Sequence, residues 1–550
     1  MMKKLKIKNL FLLFLLCCGV VFSDTTTKHI EKTTRPVEEV IPLNYKTIKT
    51  DINNLLYKNQ GLAQTKYGLA VFSTALNKFI YTKDYQQLLT PASNTKLFTT
   101  FTSFYQLGQD YKLTTSVYID GDVKKGVLNG NIYIVGGGDP IFNLNDLESI
   151  AAAVRDYGIT KINGNVYGDG SFFDGETNRF IYSKDKDEVE AVAPITALSI
   201  EKNIVTVIVT AGTIPGKPVN VQFKPASSGF IVANNATVAS LDNNFKQNDN
   251  YNKSDIDVYE ELNYNYYNGD SYDLLARRTV NQKSAKAAKP AAKKAPTPTI
   301  KITTSAQADG KQSFTVSGTL GRNKTYSYQY YIKDPVLIAT YAFKDRLNAV
   351  GVQVSGNAEK KGFIKTEMKN KTLVYAFKRD IKDIINTTNK YSNNYLAESL
   401  FKLNGAAAGN DTNTAASARM ATINVLKKIN CLPEGFLLND GSGLSRRNLV
   451  TAESLVNILL YANNHEFSES FHKSLSIAGC DGTLLKRMKA TPAENNLHAK
   501  TGTLRNVSSL AGYVDTKTGD RLVFAFVFNG PNVGNYKLLE NQIGELLSNY

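Results

Sequence analysis

The sequence predicts an α+β protein in which one antiparallel sheet flanked by helices is interrupted by two nested, mainly β inserted domains. Three observations lead there. Pro91-Ala92-Ser93 is followed by Leu97, Phe98, Phe101, Phe104 and Tyr105 at helical spacing. Near the C-terminus two apolar segments, Ser509–Val514 and Leu522–Phe528, flank a Lys-Thr-Gly-Asp turn in the manner of a β-hairpin. Finally, three polar motifs, Ser93-Asn-Thr-Lys96, Ser392-Asn-Asn394 and Lys500-Thr-Gly502, are spaced by 299 and then 108 residues. A structureless loop of the first length inside one site is untenable, so the chain must leave the domain and return.

The elements follow in order. Lys3, Lys4, Lys6 and Lys8 precede an apolar run, Leu10 to Phe22, that gives way to polar sequence at Ser23. This is the pattern of a signal peptide over 1–23, cut near Asp24, and it predicts export to the periplasm. The run is short for a membrane span, and bulky Leu16 before Cys17-Cys18 fits a lipoprotein signal poorly. Without the leader, Cys431 and Cys480 remain. Export permits a disulfide between them; two buried thiols are the alternative. The four histidines are scattered, so no metal site is predicted.

A first catalytic segment covers 40–110, and Ser93 falls in the first turn of its helix, where unpaired backbone N–H groups favour negative charge. Residues 111–205 begin an inserted domain, with β-rich runs such as Thr114–Ile119 and Gly130–Val135 between Gly/Asp turns. A nested domain covers 206–300. Its stretch 281–299 is rich in Lys, Ala and Pro without an aromatic or branched aliphatic residue, and predicts a disordered basic loop. Residues 301–334 complete the inserted domain. A second catalytic segment, 335–550, opens on an amphipathic helix from Pro335 to Leu347.

The motifs carry a definite chemistry. A serine hydroxyl is a weak nucleophile that needs a base, and a lysine three residues on shares its helix face. The other two motifs add a second hydroxyl, an amide and a second ammonium. Together they suit acyl transfer on a peptide ending in a free carboxylate. Holding Lys96 neutral requires a depressed pKa, for which burial and a cationic Lys500 are the expected causes. Decoys exist: Ser183-Lys-Asp-Lys186, Ser470-Phe-His-Lys473 and Lys517-Thr-Gly519. Ser183 lies beside the charged run Lys184–Glu190, read as a solvated loop, and Lys517 lies in the hairpin turn.

Longer stretches carry a resemblance. Leu-Thr-Pro-Ala-Ser-Asn-Thr-Lys (89–96), Gly-Gly-Gly-Asp-Pro (136–140), Asn-Lys-Tyr-Ser-Asn-Asn (389–394), Asp-Gly-Ser-Gly-Leu-Ser-Arg (440–446), Ile-Ala-Gly-Cys-Asp-Gly-Thr-Leu (477–484) and Ala-Lys-Thr-Gly-Thr-Leu (499–504) occur in that order. The chain resembles the D-Ala-D-Ala carboxypeptidase/endopeptidase family of low-molecular-mass penicillin-binding proteins, of the penicillin-binding protein 4 type. The resemblance implies a penicillin-binding/β-lactamase-like transpeptidase domain, peptidoglycan stem peptides as substrate, β-lactam antibiotics as covalent inhibitors and no cofactor. It gives catalytic roles to Ser93, Lys96, Ser392, Asn394 and Lys500. Thr501, Gly502 and Thr503 would bind substrate, and the N–H groups of Ser93 and Thr503 would form the oxyanion hole. Asp169 and Arg446 would meet the amino acid end of a diaminopimelate. Two positions depart from the pattern: Asn393, where the family usually has Asp, and Arg505, where its best-known member has Gln.

Two alternatives stand beside this reading. A β-lactamase-related hydrolase would have a compact layout, a Glu loop or a Tyr-x-Asn motif, none of which is identifiable. A catalytically silent envelope-binding protein would have no use for five intact motif residues. The formal net charge of +16 falls by four with the leader lysines. That balance suits weak association with anionic envelope polymers; nucleic-acid binding is not indicated, since no recognised module is present.

Overall fold

The computed structural model describes residues 45–186, 188–239, 299–362, 370–409 and 413–550. The leader and nearly all of the basic run 281–299 lie outside the described residues. A six-stranded sheet organises the site, in the order Ser476–Ile477, His498–Leu504, Val507–Asp515, Arg521–Asn529, Lys66–Ser73, Lys78–Lys83. Every neighbouring pair is antiparallel. The hairpin expected around Lys517-Thr-Gly519 is present: Thr516 N–H donates to the Asp520 carbonyl, and Gly519 takes φ +81°. Lys66–Ser73 pairs with Arg521–Asn529, so the early and late parts of the chain share one sheet and the interval between them must loop out.

Both faces of this sheet are covered, which is why Arg521–Asn529 reads as continuous apolar sequence. Phe524, Phe526 and Phe528 pack with Ile52 and with Tyr536, Leu539 and Ile543 of the Val533–Asn549 helix. Val523, Ala525 and Val527 face the other way, into a helical layer that includes Leu97, Phe98 and Phe101. These last three lie on the Thr95–Leu107 helix, whose predicted spacing they carried. The Phe101 ring lies within 6.3 Å of those of Tyr105, Tyr461, Phe467 and Phe471. That aromatic packing fixes the helix whose first turn follows Ser93.

The insertion leaves and returns through adjacent strands. Lys112–Ile119 and Thr372–Asp380 pair antiparallel, with Lys112 opposite Asp380, at the edge of a five-stranded mixed sheet. The helix Ile381–Lys390 then re-enters the helical layer. This corrects the boundary at 335. The helix Pro335–Ala349, capped by Asp334, buries Val336, Ile338, Ala339 and Phe343 with Leu147 and Ile150 of the Leu144–Asp156 helix. Its apolar surface is spent on the insertion, and the sequence pattern could not say which sheet it would cover. The outer part of the insertion is thus mixed α/β and not mainly β. Among the described residues the inner part is β: two three-stranded sheets, centred on Ile204–Thr210 and Gln312–Leu320, share a core around the rings of Phe223, Phe230 and Phe314.

Phe101→Ala should lower stability by about 3–5 kcal/mol, the cost of an aromatic cavity in a closed core. Denaturant unfolding checks it; a midpoint unchanged from wild type would mean that the helix is anchored elsewhere.

Candidate active site

Ser93 sits in a 3₁₀ turn, Ala92–Asn94, that runs directly into the Thr95–Leu107 helix. The turn is docked on the sheet: Ser509 Oγ donates to the Pro91 carbonyl at 2.7 Å. Opposite Ser509 in the neighbouring strand is Gly502. A Cβ there would lie 2.2 Å from Ser509 Oγ, 2.6 Å from the Pro91 carbonyl and 3.1 Å from the Ser93 nitrogen. Only glycine allows the strand to approach the serine turn so closely.

Lys96 is fully buried. Its Nζ lies 3.0 Å from Ser93 Oγ, 2.7 Å from Asn394 Oδ1 and 2.6 Å from the Ser442 carbonyl. Burial lowers its pKa to about 8, against the upward pull of Asp440, Glu190 and Glu398. Lys500 is equally buried, and its Nζ donates to the Thr501 carbonyl at 2.9 Å. Burial, and then the neighbouring Lys96, push Lys500 well below the usual lysine range. Lys96 thus has carboxylates that oppose the downward push of burial, whereas the charge acting on Lys500 is that of Lys96.

The second motif enters at the start of the Asn394–Ala407 helix. Ser392 holds a left-handed φ of +56°, a conformation that costs a non-glycine residue energy and recurs at functional sites. Asn393 caps the helix by accepting the Leu396 N–H at 2.9 Å. Asn and Asp are interchangeable for that task, which accounts for the departure at this position. Asn394 spans the cleft: Oδ1 faces Lys96, and Nδ2 donates to Glu190 Oε1 at 3.0 Å.

The third motif lies on His498–Leu504. Ser476–Ile477 pairs with His498 and Ala499 alone, so among the described residues the backbone edge from Lys500 to Leu504 is open. Thr501 Oγ1 donates to Thr483 Oγ1 at 2.8 Å, while Thr503 is exposed. Just past the end of this strand, Arg446 Nη1 donates to the backbone carbonyl of Arg505 at 2.8 Å. Asp169 ends a buried strand of the insertion, Val166–Asp169, where its carboxylate accepts the Ser171 N–H at 2.7 Å.

A buried charged network underlies the site, and sequence reading missed it. Glu398 accepts the N–H groups of Ser442 and Gly441 at 2.8 and 3.2 Å and the Tyr182 hydroxyl at 2.7 Å. Asp440 accepts the N–H groups of Gly443 and Ser445 at 3.0 and 2.8 Å. Arg179 Nη1 bridges Asp440 at 3.0 Å and Asp185 at 2.8 Å. Burial pushes the Glu398 carboxyl upward, as does nearby Asp440, against the opposing pull of Arg179. The run 184–190 is therefore not simply a solvated loop: Ser183 is buried beside Arg179, and Asp185 and Glu190 both point into the protein. The other decoy serine, Ser470, donates to Gln109 at 2.8 Å. Cys431 and Cys480 are free thiols. Cys480 is exposed, and burial raises the Cys431 thiol to about 11.

A serine and a lysine in contact, backed by an amide, a second lysine and an open strand edge, form a candidate active site on an α+β scaffold. Comparison with known proteins identifies the class. The chain matches the D-Ala-D-Ala carboxypeptidase 3 (S13) family over residues 48–258 and 269–550. It belongs to that family and is a serine peptidase. It is 28% identical over 497 residues to a D-alanyl-D-alanine carboxypeptidase of Actinomadura sp., covering 88% of this chain and 81% of that one. It is 24% identical to D-alanyl-D-alanine carboxypeptidase DacB of Haemophilus influenzae, with 81% of each covered. The crystal structure of penicillin-binding protein 4 from H. influenzae superposes with a TM-score of 0.64 at 20% identity, over 91% of this chain and all of that one. It shares the fold, additional domains included.

Gly502→Ala should leave the protein folded, since any shift is confined to the contact between strand and serine turn, yet slow acylation by about 100-fold. Circular dichroism and the rate of labelling by a fluorescent penicillin test this. Labelling at the wild-type rate would show that the close approach does not matter.

Proposed function

We propose that this peptidase is an exported, periplasmic D-Ala-D-Ala carboxypeptidase that cleaves peptidoglycan stem peptides through an acyl-enzyme at Ser93. It would also open cross-links as a D,D-endopeptidase and be acylated by β-lactams. One observation carries the reading. A neutral lysine amine has two hydrogens and one lone pair. Asn394 Oδ1 and the Ser442 carbonyl can only accept, so they take both hydrogens and leave the lone pair to the Ser93 hydroxyl. The relatives' activities and a β-lactam complex of H. influenzae penicillin-binding protein 4 support the same reaction class.

In this mechanism Ser93 Oγ attacks the carbonyl of the penultimate D-Ala while its proton passes to Lys96 Nζ. The developing oxyanion is held by the N–H groups of Ser93 and Thr503. Ser392 relays a proton to the leaving amine, and Asn394 holds the amide on the acyl side. Lys500, Thr501 and Thr503 bind the terminal carboxylate, with Gly502 keeping their strand close to the serine. Arg446 offers a guanidinium to a carboxylate on the acyl-side residue. Water then attacks the ester and releases Ser93.

Ser93→Ala should abolish covalent labelling by a fluorescent penicillin, whereas Ser183→Ala and Ser470→Ala should label as wild type. Label on Ser93→Ala at the native rate would end the assignment. Release of D-Ala from defined muropeptides, with a persistent penicilloyl-enzyme, separates a peptidase from a β-lactamase and from a silent binding protein.

The pH dependence has a definite sign. Below about 8 Lys96 carries its proton and cannot accept another. The second-order acylation rate should therefore climb as pH rises through about 8 and then level off, since this rate constant reports the free enzyme. A profile flat across that range would rule out Lys96 as the base.

A further inference from the structure

Asn394 has two chemically different ends, and Lys96 works as a base only when the correct end faces it. Against Oδ1 the lysine donates. Against Nδ2 it would have to accept, and the lone pair needed by Ser93 would be spent. Nothing within Ser392-Asn-Asn394 chooses between the two ends. The choice is made from outside the motif by Glu190, whose Oε1 lies 3.0 Å from Asn394 Nδ2. An ionised carboxylate only accepts, so the NH2 end must turn toward it.

The geometry points to Glu190 as a positioning residue of the acylation site: it fixes the Asn394 amide and so keeps the Lys96 lone pair on Ser93. The inference rests on the acyl-enzyme reading above and deepens it, because Glu190 comes from the insertion and not from any of the three motifs. The segment that bears it is held firmly. Tyr331 Oη donates to the Ala191 carbonyl at 2.9 Å. Asn203 Nδ2 donates to the Pro194 carbonyl at 2.7 Å and to the Tyr395 hydroxyl at 3.1 Å, the residue after Asn394. Insertion and helix start are thus clamped together around the Glu190–Asn394 contact.

Glu190 acts through charge as well. The charged groups around Lys96 are Asp440, Glu190 and Glu398, which favour its cation, and the neighbouring Lys500, whose own pKa Lys96 lowers. Asn394 faces Glu190 directly, Lys96 feels its charge, and Tyr331 lies near both Glu190 and Glu188. Removing the Glu190 charge takes away part of what stabilises the Lys96 cation. The lysine then loses its proton at lower pH.

The test is the second-order acylation rate of the full chain by a fluorescent penicillin between about pH 6 and 10, with the labelled peptide mapped, for wild type, Glu190→Gln and Glu190→Ala. Glu190→Gln keeps size and one acceptor oxygen but can also donate, so it no longer dictates the amide's orientation. Its maximal rate should fall roughly three- to tenfold, the worth of one orienting hydrogen bond. Its acid limb should move about 0.5–1 pH unit lower, as expected for one carboxylate acting across a partly solvated gap. Glu190→Ala should move the limb the same way and lose more rate. Profiles that superimpose on wild type, or a rate loss with no movement of the limb in either variant, overturn the inference while leaving Ser93 as nucleophile. Label mapping away from Ser93 in the wild type overturns the acyl-enzyme reading and this inference together.

Discussion

Lys96 constrains the rest of the molecule. An amine buried among three oxygens must have each contact chemically typed, because it has only two hydrogens to give once neutral. One of those oxygens is a backbone carbonyl, that of Ser442, and a carbonyl is aimed only by fixing the peptide around it. That is the work of Glu398 and Asp440, which between them accept the N–H groups of Gly441, Ser442, Gly443 and Ser445. Two buried carboxylates this close are costly without a counter-charge, and Arg179 supplies it. The network is better explained as the support of one carbonyl than as a source of stability.

The insertion is part of this support. Arg179, Asp185 and Glu190 all come from the chain between the exit strand Lys112–Ile119 and the nested sheets. Pairing of Lys112–Ile119 with Thr372–Asp380 brings both crossings of the insertion to one place beside the helical layer. The detour therefore returns charged residues to the cleft, onto Asp440 and Asn394. Under the proposed reaction, the cleft has a catalytic wall made by the three motifs and a second wall that orients them.

Much of this was legible in the sequence, and the division has physical causes. The Ser93 helix was visible because a buried helix imprints its period on Leu97, Phe98, Phe101 and Phe104. The sheet was visible because Leu522–Phe528 is buried on both faces. The Lys-Thr-Gly copy at Lys500 was separable from that at Lys517 because a hairpin turn and a strand have different neighbours. Buried charge leaves no such imprint: Lys184–Glu190 has the composition of a solvated loop, and only tertiary contact shows Asp185 and Glu190 turned inward. The helix Pro335–Ala349 is legible in the sequence but its layer is not, since amphipathicity reveals a buried face without naming what it is buried against.

The two lysines are coupled by charge. Lys500 donates to the Thr501 carbonyl, and burial and the neighbouring Lys96 push its pKa down, while Lys96 is pushed down by burial against the pull of three carboxylates. Under the proposed reaction, a substrate's terminal carboxylate set against Thr501 and Thr503 favours a cationic Lys500. Because two ammonium groups repel, a proton held at Lys500 weakens the hold on one at Lys96. Binding of the anionic end would thus help to free the base that takes the Ser93 proton. Selectivity for a free C-terminus and activation of Ser93 would then follow from one electrostatic coupling between two buried amines.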